Sequence, residues 1–357
     1  MNPTRFYKLV LLLLFATSSF VGFSQDTLKH KRVKVLPTPA FAFAPETNLS
    51  MGAVCLFTLD LYNDSLTRSS NAKAKFSYTL RKQLIAEAQW NYFFKEEKWF
   101  TGGSVLYSKY PDLYFGIGSN TTPAGETSFE SHRITVEVNG LKKIHKKWFA
   151  GIEFRHLNYF DLAIDANGTF YNELKSDSRT GLGWVLLNDK RNSLLTPSEG
   201  SYLRISNNHN FGSSYYSQIT LDWRKYFSWG KKVKQTVAGR AYSKHIIGSA
   251  PFFDIALLGS DKLVRGYFYG RFRDVNLTTF QAEYRALLFW RIGVAAFGGA
   301  SLVYKNFNDF NSSTLKPNIG AGLRVLVDKK ERTSLRLDYA IGLNGEWGFY
   351  ASFGESF

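Results

Sequence analysis

The chain has 357 residues, a formal charge of +16, one cysteine and aromatic residues at 17% of positions, among them 31 Phe and 20 Tyr. A single cysteine excludes an intrachain disulfide framework, and a mean hydropathy of −0.22 with no long apolar run after residue 25 excludes a helical span in that part of the chain. The basic surplus suits anionic lipid headgroups or acidic partners better than nucleic acid, which a secreted chain seldom meets.

Residues 1–24 read as a secretory signal peptide. Arg5 and Lys8 are followed by an apolar run from Leu9 to Ala16, too short to cross a bilayer, and then by small residues up to Ser24. No cysteine near the expected cleavage point offers a lipid anchor. Residues 25–36 form a short periplasmic stretch, and 37–357 one β-barrel domain.

From there the period-2 alternation of half-buried strands recurs almost to the end. It predicts about sixteen strands, near 37–45, 49–62, 70–81, 83–95, 98–108, 127–141, 145–160, 179–190, 200–209, 214–229, 231–246, 276–290, 291–304, 316–328, 332–343 and 347–357. In "SQITLDWRKYFSWG" one face carries Ile219, Leu221, Trp223, Phe227 and Trp229, and the other Thr220, Asp222 and Arg224. In "TFQAEYRALLFW" Phe280, Ala282, Tyr284, Ala286, Leu288 and Trp290 oppose Gln281, Glu283 and Arg285. In "TSLRLDYAIGL" Leu335, Leu337, Tyr339, Ile341 and Leu343 oppose Ser334, Arg336, Asp338, Ala340 and Gly342.

A soluble sandwich also alternates, with its apolar face inward. Here the polar faces interleave Arg with Asp and Glu, as a wet, cross-linked lumen does, while Trp and Tyr gather at strand ends, where membrane interfaces lie. The fold class is therefore all-β: a transmembrane antiparallel barrel of the bacterial outer membrane. Connections after even-numbered strands are mostly short and charged (95–98, 143–147, 229–232, 328–332), whereas 109–126, 161–178, 247–275 and 305–315 are long. Short periplasmic turns and long outer loops give that asymmetry.

Cys55 lies in an apolar strand run and reads as a small packing residue. The last strand places Phe349, Ala351, Phe353 and Phe357 on one face, interrupted by Glu355, and presents an edge for β-augmentation. Catalytic chemistry is not nominated anywhere. The six histidines show no metal spacing, no G-x-S-x-G elbow occurs, and "GSDKLVRG" has neither P-loop spacing nor a following helix. The pairs Asp222/Arg224 and Arg336/Asp338 read as structural cross-links. No enzyme activity, metal or cofactor is expected.

Between two membrane strands stands "LVRGYFYGRFRD" (263–274), with three arginines and four aromatics. The longer stretch 257–285 resembles the loop and following strand of the BamA/TamA superfamily of outer-membrane assembly and secretion barrels. That family's Val/Leu-Arg-Gly-Phe/Tyr motif falls on Val264, Arg265, Gly266 and Tyr267. "NDKRNSLLTPSEGSYLRIS" (188–206) is similar to the family's periplasmic turn, carried by Asp189, Arg191, Asn192, Pro197 and Gly200. "GAGLRVLV" and "SLRLDYAIG" are similar to its last strands.

The resemblance implies sixteen strands whose first and last members meet at a weak seam. Pro37, Pro39 and Pro45 beside Phe353 and Phe357 suit such a seam, since each proline removes a ladder donor. It further implies that the long extracellular loop 247–275 folds into the lumen and that Arg265 meets the inner wall, with Glu283 at the family's acidic position. An arginine facing lipid at the midplane would cost about 2–4 kcal/mol, whereas a lumenal carboxylate gives it a bidentate partner. Gly266 and Gly270 permit the close approach.

Two departures stand out. Gly299 occupies the place of the family's second lumenal acid, with Ser301 in place of its glycine, which leaves Glu283 as the lock's acid. Ahead of the first strand there is too little chain for the family's POTRA domains, so the sequence reads as a barrel-only member.

The function expected from the resemblance is outer-membrane protein assembly, insertion or translocation. The partners would be outer-membrane lipids, periplasmic or outer-membrane proteins supplying the POTRA role, and a second copy of the chain. The alternatives are a structural subunit of a larger envelope complex and a passive channel, which a lumen filled by residues 247–275 disfavours.

Overall fold

The computed structural model describes residues 33–357 apart from 63, 65, 231–233, 310–313 and 329–332. The expected signal peptide, most of the expected periplasmic stretch and several lysines of the short turns lie outside the described residues.

Eighteen strands are described. They are β1 (Val33–Ala44), β2 (Asn48–Leu59), β3 (Ser70–Thr79), β4 (Leu84–Phe93), β5 (Trp99–Tyr114), β6 (Thr127–His145), β7 (Trp148–Ile164), β8 (Asp177–Asp189), β9 (Gly200–Phe211), β10 (Tyr216–Trp229), β11 (Lys234–Gly248), β12 (Ala256–Leu257), β13 (Arg273–Asp274), β14 (Asn276–Phe289), β15 (Ile292–Tyr304), β16 (Leu315–Asp328), β17 (Thr333–Ile341) and β18 (Trp347–Phe353). Sixteen form one antiparallel sheet in chain order, and β12 pairs only with β13, inside the loop that joins β11 to β14. The expected sixteen-stranded barrel is present. Among the described residues no helix is long and apolar enough to cross a membrane.

Alternation sorts the two faces. Phe280 is 58% exposed and Ile319 62%, while Glu283 and Arg336 are 1% exposed. Greasy side chains therefore cover the outside and ionic groups the inside, the arrangement that lets strands meet hydrocarbon without burying charge in it. The alternation slips at Ala286, which is buried, next to an irregularity between Leu287 and Phe289.

Three expectations are corrected. The first strand begins at Val33, so residues 33–36 belong to the barrel and not to a periplasmic stretch. The last strand ends at Phe353: Gly354 adopts φ +77°, a conformation that breaks an extended run, and residues 354–357 turn into the lumen. Phe357 is buried against Tyr226 and Ala238 and so is not part of an outward edge.

Third, the lumen is not ionic throughout. Phe93, Phe100, Leu141, Phe149, Val185 and Leu187 form an inward apolar cluster with Leu194 of the turn between β8 and β9. Phe252 and Phe253 of the long loop pack on Tyr114, Phe129, Leu157 and Tyr159, with Phe253 stacked 4.0 Å from Tyr159. Ionic groups occupy the belt between these clusters.

Candidate functional site

The loop between β11 and β14 runs inside the barrel and buries its central residues. Val264 and Tyr267 are fully buried and Arg265 is 3% exposed. The Arg265 guanidinium donates through Nη2 to Glu283 of β14 and through Nη1 to Asp338 of β17. It lies 3.3 Å above the ring centre of Phe297, the residue opposite Glu283 in the β14–β15 ladder. The guanidinium therefore spans two carboxylates instead of making a bidentate pair with one, and Glu283 does not act alone.

Asp338 was not assigned to Arg265 from the sequence, although the alternation turned it inward. The missing signal is a register. Gly322 of β16 stands opposite Asp338, and a Cβ there would lie 2.0 Å from its Oδ1. A glycine on the neighbouring strand thus makes room for the acid that Gly299 does not supply.

The pair is part of a larger buried network. Glu283 also accepts from Arg285 Nε at 2.7 Å and Arg324 Nη2 at 3.2 Å. Asp338 accepts from Arg324 Nη1 at 2.6 Å and faces Arg336 Nε at 3.6 Å. Arg336 Nη2 reaches Asp261 of the loop at 3.0 Å, and Arg324 Nε reaches Glu355 at 2.9 Å. Burial pulls the Asp261 carboxyl up, but Arg336, Lys262, Lys75 and Arg265 together hold it below the usual range.

Neighbouring residues hold the loop by its backbone. Gly266 has φ +101° and donates its N–H to the Tyr350 hydroxyl of β18 at 2.9 Å; a Cβ there would lie 2.9 Å from the Ile341 carbonyl carbon and oxygen. Tyr267 donates its hydroxyl to the Pro317 carbonyl at 2.6 Å and accepts from Leu343 N–H at 3.0 Å. Gly270, with φ +76°, donates to the Leu258 carbonyl at 2.8 Å.

The other two arginines of the stretch stay within the protein. Arg271 bonds Glu346 and Thr121 of outer loops, and Arg273 bonds the Gly270 carbonyl and lies over Tyr114. A second anchor was missed in the sequence: Asp254 of the loop accepts two bonds from Arg155 of β7, at 2.5 and 2.6 Å. Ninety-nine residues separate the two, and no spacing rule links them.

The turn between β8 and β9 closes the other end. Asp189 accepts from Arg191 N–H at 3.1 Å and Nε at 2.9 Å, and Asn192 Oδ1 accepts from Ser198 N–H at 3.0 Å. Gly200, at φ +97°, passes so close to Lys190 that a Cβ would lie 2.0 Å from its carbonyl oxygen. The Pro197 carbonyl accepts from Arg285, and the Leu195 carbonyl from Glu355 N–H at 3.0 Å. The turn thus touches residues 354–357, whose Ser356 hydroxyl donates to the Asp261 carbonyl at 2.9 Å.

β18 lies beside β1, yet no ladder joins them among the described residues, whereas every other neighbouring pair in the sheet is zipped. Side chains bridge the seam. Phe43 meets Phe349 edge-on at 6.0 Å, and Ala44 packs on Phe297, Ala340 and Tyr350. Pro37 and Pro39 lie within β1, opposite Cys55 and Ala53 of β2, and Pro45 follows its end. Phe353 is half-buried at the end of β18.

A sixteen-stranded barrel with an apolar exterior, a loop pinned inside by an arginine and one unzipped seam is the architecture of an outer-membrane β-barrel. The sequence matches the Omp85 superfamily domain over residues 65–357, and the chain belongs to that superfamily. Among solved structures it is similar to BamA from Haemophilus ducreyi lacking POTRA domains 1-3, at TM-score 0.56 and 11% identity, covering 93% of this chain and 74% of that one. It is also similar to CdiB from Acinetobacter baumannii, at TM-score 0.61 and 13% identity, covering 92% of this chain and 60% of that one. Identities this low speak for the fold alone. No curated protein matches the sequence. Barrels of this superfamily are assembly and transport proteins and not enzymes.

Proposed function

We propose that this barrel assists the insertion of proteins into the outer membrane, or their passage across it, with separate partner proteins delivering the client. The observation that carries this reading is the seam: β1 and β18 touch through side chains while the rest of the wall is laddered. An unpaired strand edge is a template for a further strand. In a membrane such an edge is costly unless another strand completes it, so the unzipped site favours an incoming β-segment. The plug lock supports the same reading, because Arg265, Gly266 and Tyr267 fasten the loop to the β14–β18 wall and keep the lumen closed while the seam works.

Depletion of the protein followed by quantification of the outer-membrane proteome tests this. The expected result is a fall in other β-barrel proteins; a proteome that stays constant through depletion refutes it.

A further inference from the structure

The plug does not fill the lumen evenly. On the side of β1–β4 a cavity of about 1210 Å³ remains between the wall and the loop, and its lining carries Lys73 and Lys75 of β3, Glu87 of β4, and Asp261 and Lys262 of the loop. Alternation explains the lysines: Ala74 and Phe76 of β3 face outward, so Lys73 and Lys75 face in.

The charges in this cavity do not cancel. Lys73 is neutralised by Glu87 at 3.1 Å, and Asp261 by Arg336 at 3.0 Å. Lys75 and Lys262 have no side-chain ion-pair partner among the described residues. The unmet charge is thus positive, carried by two ammonium donors in a protein-walled cavity that focuses field lines and draws in anions. A phosphate group matches that demand, with a charge near −2 and three acceptor oxygens.

We propose that this cavity binds a phosphate-bearing ligand, held by Lys75 and Lys262. Two sources share that chemistry. Phe41 and Phe353, at the seam, also line the cavity, so a phospholipid can place its headgroup inside with its chains toward the bilayer. Leu194 and Leu195 of the β8–β9 turn line it too, which gives a soluble phosphate compound a route from the opposite end. The inference stands apart from client insertion, since it concerns occupancy of the isolated barrel.

The test uses the full chain refolded in detergent or in nanodiscs. One arm titrates the detergent-solubilised protein with pyrophosphate by calorimetry. The other uses native mass spectrometry to count lipids retained from phosphatidylglycerol discs against discs of a neutral glycolipid. The expected result is binding in at least one arm, weakened tenfold or more in K75Q/K262Q and kept in K75R/K262R, with heat-modifiable migration confirming folded barrels. Three results overturn the proposal: no binding in either arm, unchanged binding by K75Q/K262Q, or equally tight binding of an acidic peptide that lacks phosphate.

Discussion

Replacing Arg265 should release the plug more readily than replacing Glu283, although the two are partners. The buried network contains four guanidiniums, of Arg265, Arg285, Arg324 and Arg336, and four carboxylates, of Glu283, Asp338, Glu355 and Asp261. Removing either partner unbalances the set by one charge, but the two removals leave different groups unpaired. Without Arg265, Glu283 keeps Arg285 and Arg324, and Asp338 keeps Arg324 and Arg336. Each acid still has two cations, but the loop loses both bonds that Arg265 makes to the wall, and R265Q should cost about 2–6 kcal/mol, at about 1–3 for each. Without the Glu283 carboxylate, three guanidiniums lose an acceptor together. Arg285 and Arg324 stay on the wall whether the loop is docked or released, so E283Q should weaken the loop's own attachment by about 1–3 kcal/mol, for the one bond it loses to Arg265. At 1.4 kcal/mol per tenfold, R265Q raises the population of the released loop by roughly one and a half to four decades.

Limited proteolysis of the folded barrel, read at cleavage sites in 249–275, measures this directly, and hydrogen exchange at the amides of Gly266 and Gly270 gives an independent scale. The expected order is R265Q fastest, then E283Q, then the unaltered chain. In the double variant the penalties should fall short of additive, since both act on one network. If E283Q opens the loop as fast as R265Q, or if R265Q leaves protection intact, the network reasoning fails.

Gly266→Ala should lower the thermal midpoint, because φ +101° and a Cβ 2.9 Å from Ile341 backbone atoms add about 1–3 kcal/mol of strain; an unchanged midpoint would contradict the close approach. Glu46, buried in the turn between β1 and β2, has its carboxyl pushed up to about 7 by burial, with Asp261 and Asp112 adding to the effect. The folded chain then holds this proton more tightly than the unfolded one. Its stabilising effect is full below about pH 4.5 and is lost as pH rises through 7, by up to about 3 kcal/mol. Denaturation midpoints across that window should fall in the unaltered protein and flatten in E46Q, and parallel curves would dismiss the assignment. Joining the seam by F43C/F349C in a C55S background should give a folded barrel that loses client insertion when oxidised and regains it on reduction; full activity of the oxidised form would sink the role of the seam.

What the sequence made legible was parity. In β14 the alternation of Phe280, Tyr284, Glu283 and Arg285 is enough to send two side chains to lipid and two to the lumen. Height along the barrel was not legible, because it depends on registers summed across many strands. Asp338 meets Arg265 only because three ladders between β14 and β17 put it in the row of Arg285, one inward residue from the row that runs from Glu283 through Phe297 and Gly320 to Ala340. Where both faces of a strand are apolar, parity fails as well: β7 carries Phe149, Leu157 and Tyr159 inward beside Phe154 outward, so the lumenal clusters could not be read from it. The end of the chain misled for a local reason. Phe357 keeps the spacing of an outward residue, but Gly354 turns the backbone and Arg324 draws Glu355 inside.

The lock and the seam meet at β18, but no lock partner lies on β1, and this bears on how the seam opens. Arg265, Gly266 and Tyr267 find their partners on β14, β15, β16, β17, β18 and the connection after β17. The plug is thus fixed to the β18 side, while β1–β4 face the cavity. Parting β1 from β18 leaves the lock intact and gives up chiefly the Phe43–Phe349 contact, about 0.5–1.5 kcal/mol beyond its area, together with the packing of Ala44. The β17–β18 ladder registers seven residue pairs, and at about 0.5–1.5 kcal/mol for each net hydrogen bond opening it costs several times more. The barrel therefore has one boundary weak enough to part while its plug stays in place.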